Sequence, residues 1–310
     1  MLNNILKAVG NTPLVQLQKT VSTQDARIFV KCEFLNPGGS IKIRPALRMI
    51  ETAEEEGLLR ADSIICEPTS GNQGIALAMI GACKGYRVII VMPENMSAER
   101  QSLIKSYGAE IVLTPAGRDI GEAITAAKAK SEEIAAGDAR VFLPKQFENP
   151  NNPKAHYVTG QEILAELKEP IDLFISGFGT GGTLSGIGRA LKEKHSSCRI
   201  ICAEPDKAAI LAGKPLGHHV QMGIGDGFIP PNLDTKLIDE TFEVSDTAAV
   251  STAKLLARNE GLFVGVSSGT NVFTALHYAR LLGPGHTIVT VLPDDGSRYL
   301  SLPEFSSSSG

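Results

Sequence analysis

No apolar run in this chain approaches the roughly 20 residues needed to span a bilayer, and the first residues, Met1-Leu2-Asn3-Asn4, lack the basic segment and apolar core of a secretory signal. A membrane-embedded or exported protein is therefore not expected. A basic excess is missing too: net charge is -4 and the two signs are interspersed, which leaves no electrostatic footprint for nucleic acid or an anionic membrane surface. Cysteine is sparse. Cys32, Cys66, Cys83, Cys198 and Cys202 are odd in number and form no CxxC pair. Most lie in apolar runs such as Ile64-Ile65-Cys66 and Ile200-Ile201-Cys202, the pattern of reduced packing cysteines in a cytoplasmic protein. Their spacing does not suit zinc, and the adjacent pair His218-His219 cannot share one face of a helix or strand. No metal is expected.

What is present is an ordinary globular composition, 43% hydrophobic and 21% charged, over 310 residues. That length accommodates two domains or one large α/β domain. Strand and helix patterns alternate. Strands are expected at 63–68, 87–93, 110–113, 173–176, 200–204 and 287–293, and several are continuous apolar runs of the kind buried on both faces of a parallel sheet. Helices are expected at 75–84, 97–107, 120–135, 157–168, 184–195, 246–260 and from 267 to 282. The proline-punctuated loop Gln146 to Pro153 is the candidate inter-domain crossing, and 211–234 reads as irregular. Ser306 to Gly310 reads as a mobile tail. The two halves look like doubly wound units of similar design.

The chemistry concentrates where turns open into helices. In Asn36-Pro37-Gly38-Gly39-Ser40-Ile41-Lys42, two glycines break regular structure, Ser40 is a good N-cap, and Lys42 falls in the first helical turn. Peptide dipoles and partial burial there disfavour its protonated form, which suits a Schiff-base nucleophile. It is also one of 30 Lys and Arg residues, any of which could lie on a solvated face. Phe178-Gly179-Thr180-Gly181-Gly182-Thr183 follows a strand and opens a helix, so converging N–H groups and hydroxyls form a cup for a phosphate. It is neither a P-loop nor a dinucleotide fingerprint, and similar turns in other α/β proteins bind nothing. Thr69-Ser70-Gly71-Asn72-Gln73 is a second donor cluster, suited to a carboxylate or serving as a plain N-cap by Thr69 or Ser70. Ser267, in Gly265-Val266-Ser267-Ser268-Gly269, either caps a helix or donates to a neutral ring nitrogen. The loop Gly223-Ile224-Gly225-Asp226-Gly227-Phe228 is too long for a tight turn; Asp226 is a turn former or an active-site acid.

Taken together these segments resemble the cysteine synthase and cystathionine β-synthase family of fold-type II pyridoxal-phosphate enzymes. The match runs in register from about Gly10 to Leu302, through Gly10-Asn11-Thr12-Pro13-Leu14, the Lys42 segment, Glu67-Pro68-Thr69-Ser70-Gly71-Asn72, the 179–183 turn, the 223–230 loop, Leu292-Pro293 and Arg298-Tyr299-Leu300. The resemblance implies two doubly wound open-sheet α/β domains of the tryptophan synthase β type. Residues 38–148 would be a smaller mobile domain binding the substrate carboxylate, and 1–37 with 149–310 a larger one holding the phosphate and ring of pyridoxal 5'-phosphate. Lys42 would hold the cofactor as a Schiff base and later take the α-proton, Asn72 would bond its phenolic oxygen, Gly179, Thr180, Gly181, Gly182 and Thr183 its phosphate, and Ser267 its ring nitrogen. Thr69, Ser70, Gly71, Gln73, Gln146 and Gly223 would bind the substrate. The reaction implied is β-replacement on a small amino acid of the O-acetylserine or cysteine type, through an aminoacrylate, with a thiol or sulfide as nucleophile.

Three positions depart from the family's usual residues. Ile43 replaces an Asp at a non-catalytic position, Gln73 a Thr, and Asp226 a small residue. An acid at position 226 could act as a base toward water or a thiol and would repel sulfide. That raises the alternative of an enzyme consuming L-cysteine and releasing sulfide by β-elimination or by thiol replacement to serine, lanthionine or cystathionine. A non-catalytic binding protein of the same fold is the rival from another class. A homodimer is expected from the resemblance, neither haem nor adenosyl regulation is, and nothing in the sequence supports a serine acetyltransferase partner.

Overall fold

In the computed structural model, residues 1–69, 71–117 and 120–306 are described. In chain order the elements are β1 (Leu14–Gln16), β2 (Arg27–Lys31), α1 (Ile43–Glu55), β3 (Ile64–Pro68), α2 (Asn72–Lys84), β4 (Arg87–Pro93), α3 (Ala98–Ser106), β5 (Glu110–Thr114), α4 (Ile120–Gly137), β6 (Val141–Phe142), α5 (Asn151–Glu166), β7 (Leu173–Gly177), α6 (Gly182–Lys194), β8 (Arg199–Pro205), β9 (Glu240–Val244), α7 (Asp246–Glu260), α8 (Val266–Leu282), β10 (Thr287–Val291) and α9 (Pro303–Ser306).

They divide into two compact units: 1–9 with 36–152, and 10–35 with 153–310. The first unit is built on a four-stranded parallel sheet of order β5-β4-β3-β6. β4 is the apolar run Val88–Met92, and it lies between two strands with every one of those residues buried. Helix α1 presents Ile43, Ala46, Ile50 and Ala53 at helical spacing, and these join α2 residues Ile75 to Ile80 in one apolar core. Residues 1–9 cluster with this unit, not with the larger one as the sequence suggested, because buried Leu6 packs into the same core.

The second unit holds a six-stranded sheet of order β1-β2-β10-β7-β8-β9. It is parallel except for the β1–β2 pair. In β7 and β10 every residue is buried, as both-face coverage demands. Lys31 at the end of β2 is fully buried, and its charge is satisfied rather than hydrated. Its Nζ donates to Thr12 O at 2.5 Å and pairs with Glu166 at 2.6 Å and Glu162 at 3.1 Å, fastening α5 to β2.

Two further sequence expectations are corrected, and one strand is new. Helix α5 begins at Asn151, inside the stretch read as a polar loop, where Asn149 Oδ1 accepts from Asn151 N at 3.0 Å. Strand β9 had no expectation, because as an edge strand it buries fully only Val244. Ser306, assigned to a tail, ends the short helix α9, and the rest of that tail, 307–310, lies outside the described residues. Among the described residues no helix is long and apolar enough to cross a membrane.

Candidate active site

In the first unit the Lys42 segment folds as a glycine-made turn. Gly38 and Gly39 both adopt left-handed backbone, φ +78° and +68°, which L side chains rarely accept. Asn36 O accepts from Gly39 N at 2.8 Å, closing the turn. Lys42 is half-buried and is itself the N-cap of α1, one position before the first helical turn where the sequence placed it. Ser40, buried, does not cap the helix; its Oγ accepts from Lys42 N at 3.4 Å and so shapes the approach of the lysine.

β3 leads directly into the donor cluster of the same unit. Thr69 Oγ1 accepts from Gly71 N at 3.4 Å, Gly71 is the N-cap of α2, and half-buried Asn72 is its first residue. Ser70 lies outside the described residues. Gln73 is 2% exposed, and neither its amide nitrogen nor its amide oxygen has a hydrogen-bond partner among the described residues. A buried amide costs folding free energy unless something satisfies it, and a polar ligand does that. Gln146 is also buried, and its backbone N–H is held by the carboxylate of Glu67 at 2.9 Å.

In the second unit three sequence-separated segments meet. The β7–α6 turn holds Gly179 and Gly181; a Cβ on Gly179 would run into the carbonyl oxygen of Gly223 and lie 3.1 Å from Asp226 Oδ2. A Cβ on Gly181, at φ +80°, would meet Leu233 N at 2.7 Å. The 178–183 turn and the 223–226 loop are therefore in backbone contact, with Gly225 N donating to Phe178 O at 3.1 Å. Asp226 lies beside the first glycine of the phosphate cup. His219 accompanies that loop, its Nε2 3.0 Å from Gly225 O. Ser267 is buried at the second position of α8, two residues beyond the cap position held by Gly265, which removes the plain-cap reading. Its neighbour Ser268 is fully buried with no hydrogen-bond partner for Oγ among the described residues.

The helix starts fall into two kinds. Helices α2, α6 and α8 begin at Gly71, Gly181 and Gly265, and none has a side chain capping its first N–H groups. Helices α3 and α7 are capped by Ser97 and Ser245. Uncapped N-terminal N–H groups carry partial positive charge and lack acceptors, so an anion or ring acceptor suits the first kind. Thr69 is thus not the N-cap of α2. In the second unit the glycine cradle and open helix starts suit a phosphate and a ring nitrogen; in the first, the half-buried amine of Lys42 suits an aldehyde.

Two residues with a part in this geometry carry no sequence signal of their own. Asn271 Oδ1 accepts from Gly177 N at 2.8 Å, and its Nδ2 donates to Val291 O at 2.9 Å. It ties the strand that enters the phosphate cup to the helix of Ser267, and only its four-residue offset from Ser267 could have marked it. Glu67 stands in the Glu67–Asn72 motif, which by itself gives it no role. The cysteines are packing groups: burial pushes the Cys32, Cys66 and Cys198 thiols up to about 12. Among the described residues no cluster of three His, Cys, Asp or Glu could hold a metal ion.

Fold and helix starts define the class, a two-unit α/β enzyme of the kind that carries a phosphorylated cofactor on a lysine. The family profile described as pyridoxal-phosphate dependent enzyme matches residues 5–294, and the chain belongs to that family. A cysteine synthase of Staphylococcus aureus is 45% identical over 307 residues, covering 98% of this chain and 97% of the relative. The crystal structure of an O-ureido-L-serine synthase superposes with a TM-score of 0.94 at 39% identity, over 100% of this chain and 97% of that one. That of a hydrogen sulfide-producing enzyme from Fusobacterium nucleatum does so with 0.92 at 41% identity, over 97% of this chain and 100% of that one. The fold is that of the fold-type II enzymes, and the cofactor is pyridoxal 5'-phosphate.

Proposed function

We propose that the chain catalyses β-replacement on a small amino acid with a leaving group on its β-carbon, as a cysteine synthase does, with O-acetyl-L-serine as donor and sulfide or a thiol as nucleophile. The observation that carries this reading is the set of glycine-started, uncapped helices at the three predicted ligand turns. In the first unit Lys42 Nζ would hold the cofactor and, once released, remove the α-proton. Asn72 would donate to the phenolic oxygen. Thr69, Ser70, Gly71 and the open amide of Gln73 would take the substrate carboxylate, with Gln146. In the second unit Gly179 to Thr183 would hold the phosphate, Ser267 would donate to the ring nitrogen, and Gly223 would line the substrate's path. When bound, the cofactor supplies the electron sink for negative charge at the substrate's α-carbon. A serine rather than an acid at the ring nitrogen leaves that nitrogen unprotonated, which favours β-elimination and replacement over transamination. We place the enzyme in the cytoplasm as a homodimer, which sedimentation would check.

A second reading has one observation in its favour. Asp226 borders Gly179, and a carboxylate there repels hydrosulfide while it can accept a proton from a thiol or water. On that reading L-cysteine is consumed and sulfide released. Two assays on the yellow, cofactor-loaded protein decide: cysteine formation from O-acetyl-L-serine and sulfide, and sulfide release from L-cysteine alone. Faster cysteine formation supports the first reading, faster sulfide release the second, and a colourless, inactive protein overturns both.

A further inference from the structure

We propose that Glu67 is a positioning residue for substrate recognition: its carboxylate fixes the backbone at Lys145 and Gln146 and so places the Gln146 amide for the substrate carboxylate. The inference rests on the role given to Gln146 above. Glu67 lies in β3, two residues before Thr69, and is 0% exposed. Its Oε2 accepts from Lys145 N and its Oε1 from Gln146 N, each at 2.9 Å. Two consecutive N–H groups on one carboxylate is how backbone holds an anion; here the anion belongs to the sheet and the turn is what is held. Lys145 has φ +55°, a left-handed conformation that a non-glycine residue keeps only where its surroundings impose it. The far side of the turn is tied as well, with Asn152 Nδ2 donating to Gln146 O at 2.8 Å and Asn149 Nδ2 to Pro144 O at 3.0 Å.

One strand end therefore serves both parts of the carboxylate site in this unit. Its main chain continues into Thr69 to Gln73, and its side chain anchors Gln146. Only a carboxylate offers an acceptor to each N–H; an amide, or a protonated acid, turns a donor toward one of them. The groups acting on Glu67 are its strand neighbour Cys66 and, from the turn, Lys145 and Glu148, the latter paired with Lys128 of α4 at 2.9 Å. Burial raises the Glu67 carboxyl to about 7, so its ionisation changes across the neutral range.

The test measures KM and kcat of the holoenzyme for O-acetyl-L-serine at saturating sulfide, between about pH 6 and 8, in wild type, Glu67→Gln, Glu67→Asp, Gln146→Ala and the Glu67→Gln/Gln146→Ala double variant. If only the ionised form places Gln146, wild-type KM is about tenfold higher at the acid end, following the ionised fraction. Glu67→Gln has a KM raised about tenfold at the alkaline end and flat with pH, with kcat moved far less. The double variant is no worse than Gln146→Ala, because both changes remove one interaction. Wild-type KM in Glu67→Gln, or losses that add in the double variant, overturn the inference while the role of Gln146 stands. An unchanged KM in Gln146→Ala sinks that role and this inference with it. Should Glu67→Gln not fold, the shorter Glu67→Asp and the wild-type profile carry the test, and a profile flat across the window overturns the proposal.

Discussion

Adding one methyl group to Gly179 gives a sharp test of the phosphate cup. A Cβ there meets the carbonyl oxygen of Gly223 at a separation real Cβ atoms do not show, with Asp226 Oδ2 3.1 Å away. The obstructing atom is backbone, so no side chain can swing aside, and the 178–183 turn and the 223–226 loop must separate. Overpacking of this kind costs about 1–3 kcal/mol. If that cost falls on the cup, cofactor affinity drops roughly 5- to 150-fold, at 1.4 kcal/mol per tenfold. Gly188→Ala is the control. It lies on α6, the helix that the turn opens, and its added Cβ meets only the Ile200 side chain, Cδ1 nearest at 3.5 Å, an ordinary contact. Alanine there should stabilise by about 0.5–1 kcal/mol through helix propensity. The assay is titration of the cofactor-free protein with pyridoxal 5'-phosphate, followed by its visible absorption, beside urea unfolding. Wild-type affinity in Gly179→Ala, or an equal loss in Gly188→Ala, refutes the reasoning.

Asn271→Ala leaves Gly177 N and Val291 O buried without their partner, and we expect a loss of about 2–4 kcal/mol of stability by urea unfolding, from two uncompensated groups. Glu67 makes stability depend on pH with a defined sign: its folded carboxyl is raised from 4.5 to about 7 by burial, so its contribution is full below about 4.5 and fades as pH rises through 7. The stability difference between wild type and Glu67→Gln should therefore shrink by roughly 3 kcal/mol between those limits, and a difference constant with pH would contradict this. Asp226→Asn should slow thiol-dependent sulfide release from L-cysteine by about 10²-fold, the scale of a lost general base, while cysteine formation with sulfide is unimpaired. Equal effects on both assays would remove Asp226 from the nucleophile's half of the reaction.

The strands and helices were legible because they repeat local rules. β4 is a single apolar run, and α7 begins at Ser245 and ends at Gly261 as capping chemistry demands. The ligand turns were legible as glycine- and hydroxyl-rich helix starts, but their caps were not. Ser40, Thr69 and Ser70 looked like N-caps, whereas the chain uses Lys42 and Gly71. A glycine N-cap has no side chain to announce it, and it leaves the helix end open for a ligand. Strand β9 escaped because its partner is β8, whose pairing gives an exposed, charged segment order that its own sequence does not. Glu67 and Asn271 escaped for a related reason. The groups they hold lie 78 and 79 residues away in one case and 94 and 20 in the other, so only the folded sheet brings them together.

The central claim is that Lys42 carries the cofactor. Reducing the yellow holoenzyme with borohydride and mapping its peptides by mass spectrometry tests this directly. The account predicts one phosphopyridoxyl group, on the peptide containing Lys42, and none in Lys42→Ala. A label on any other lysine, or its persistence in Lys42→Ala, would contradict it.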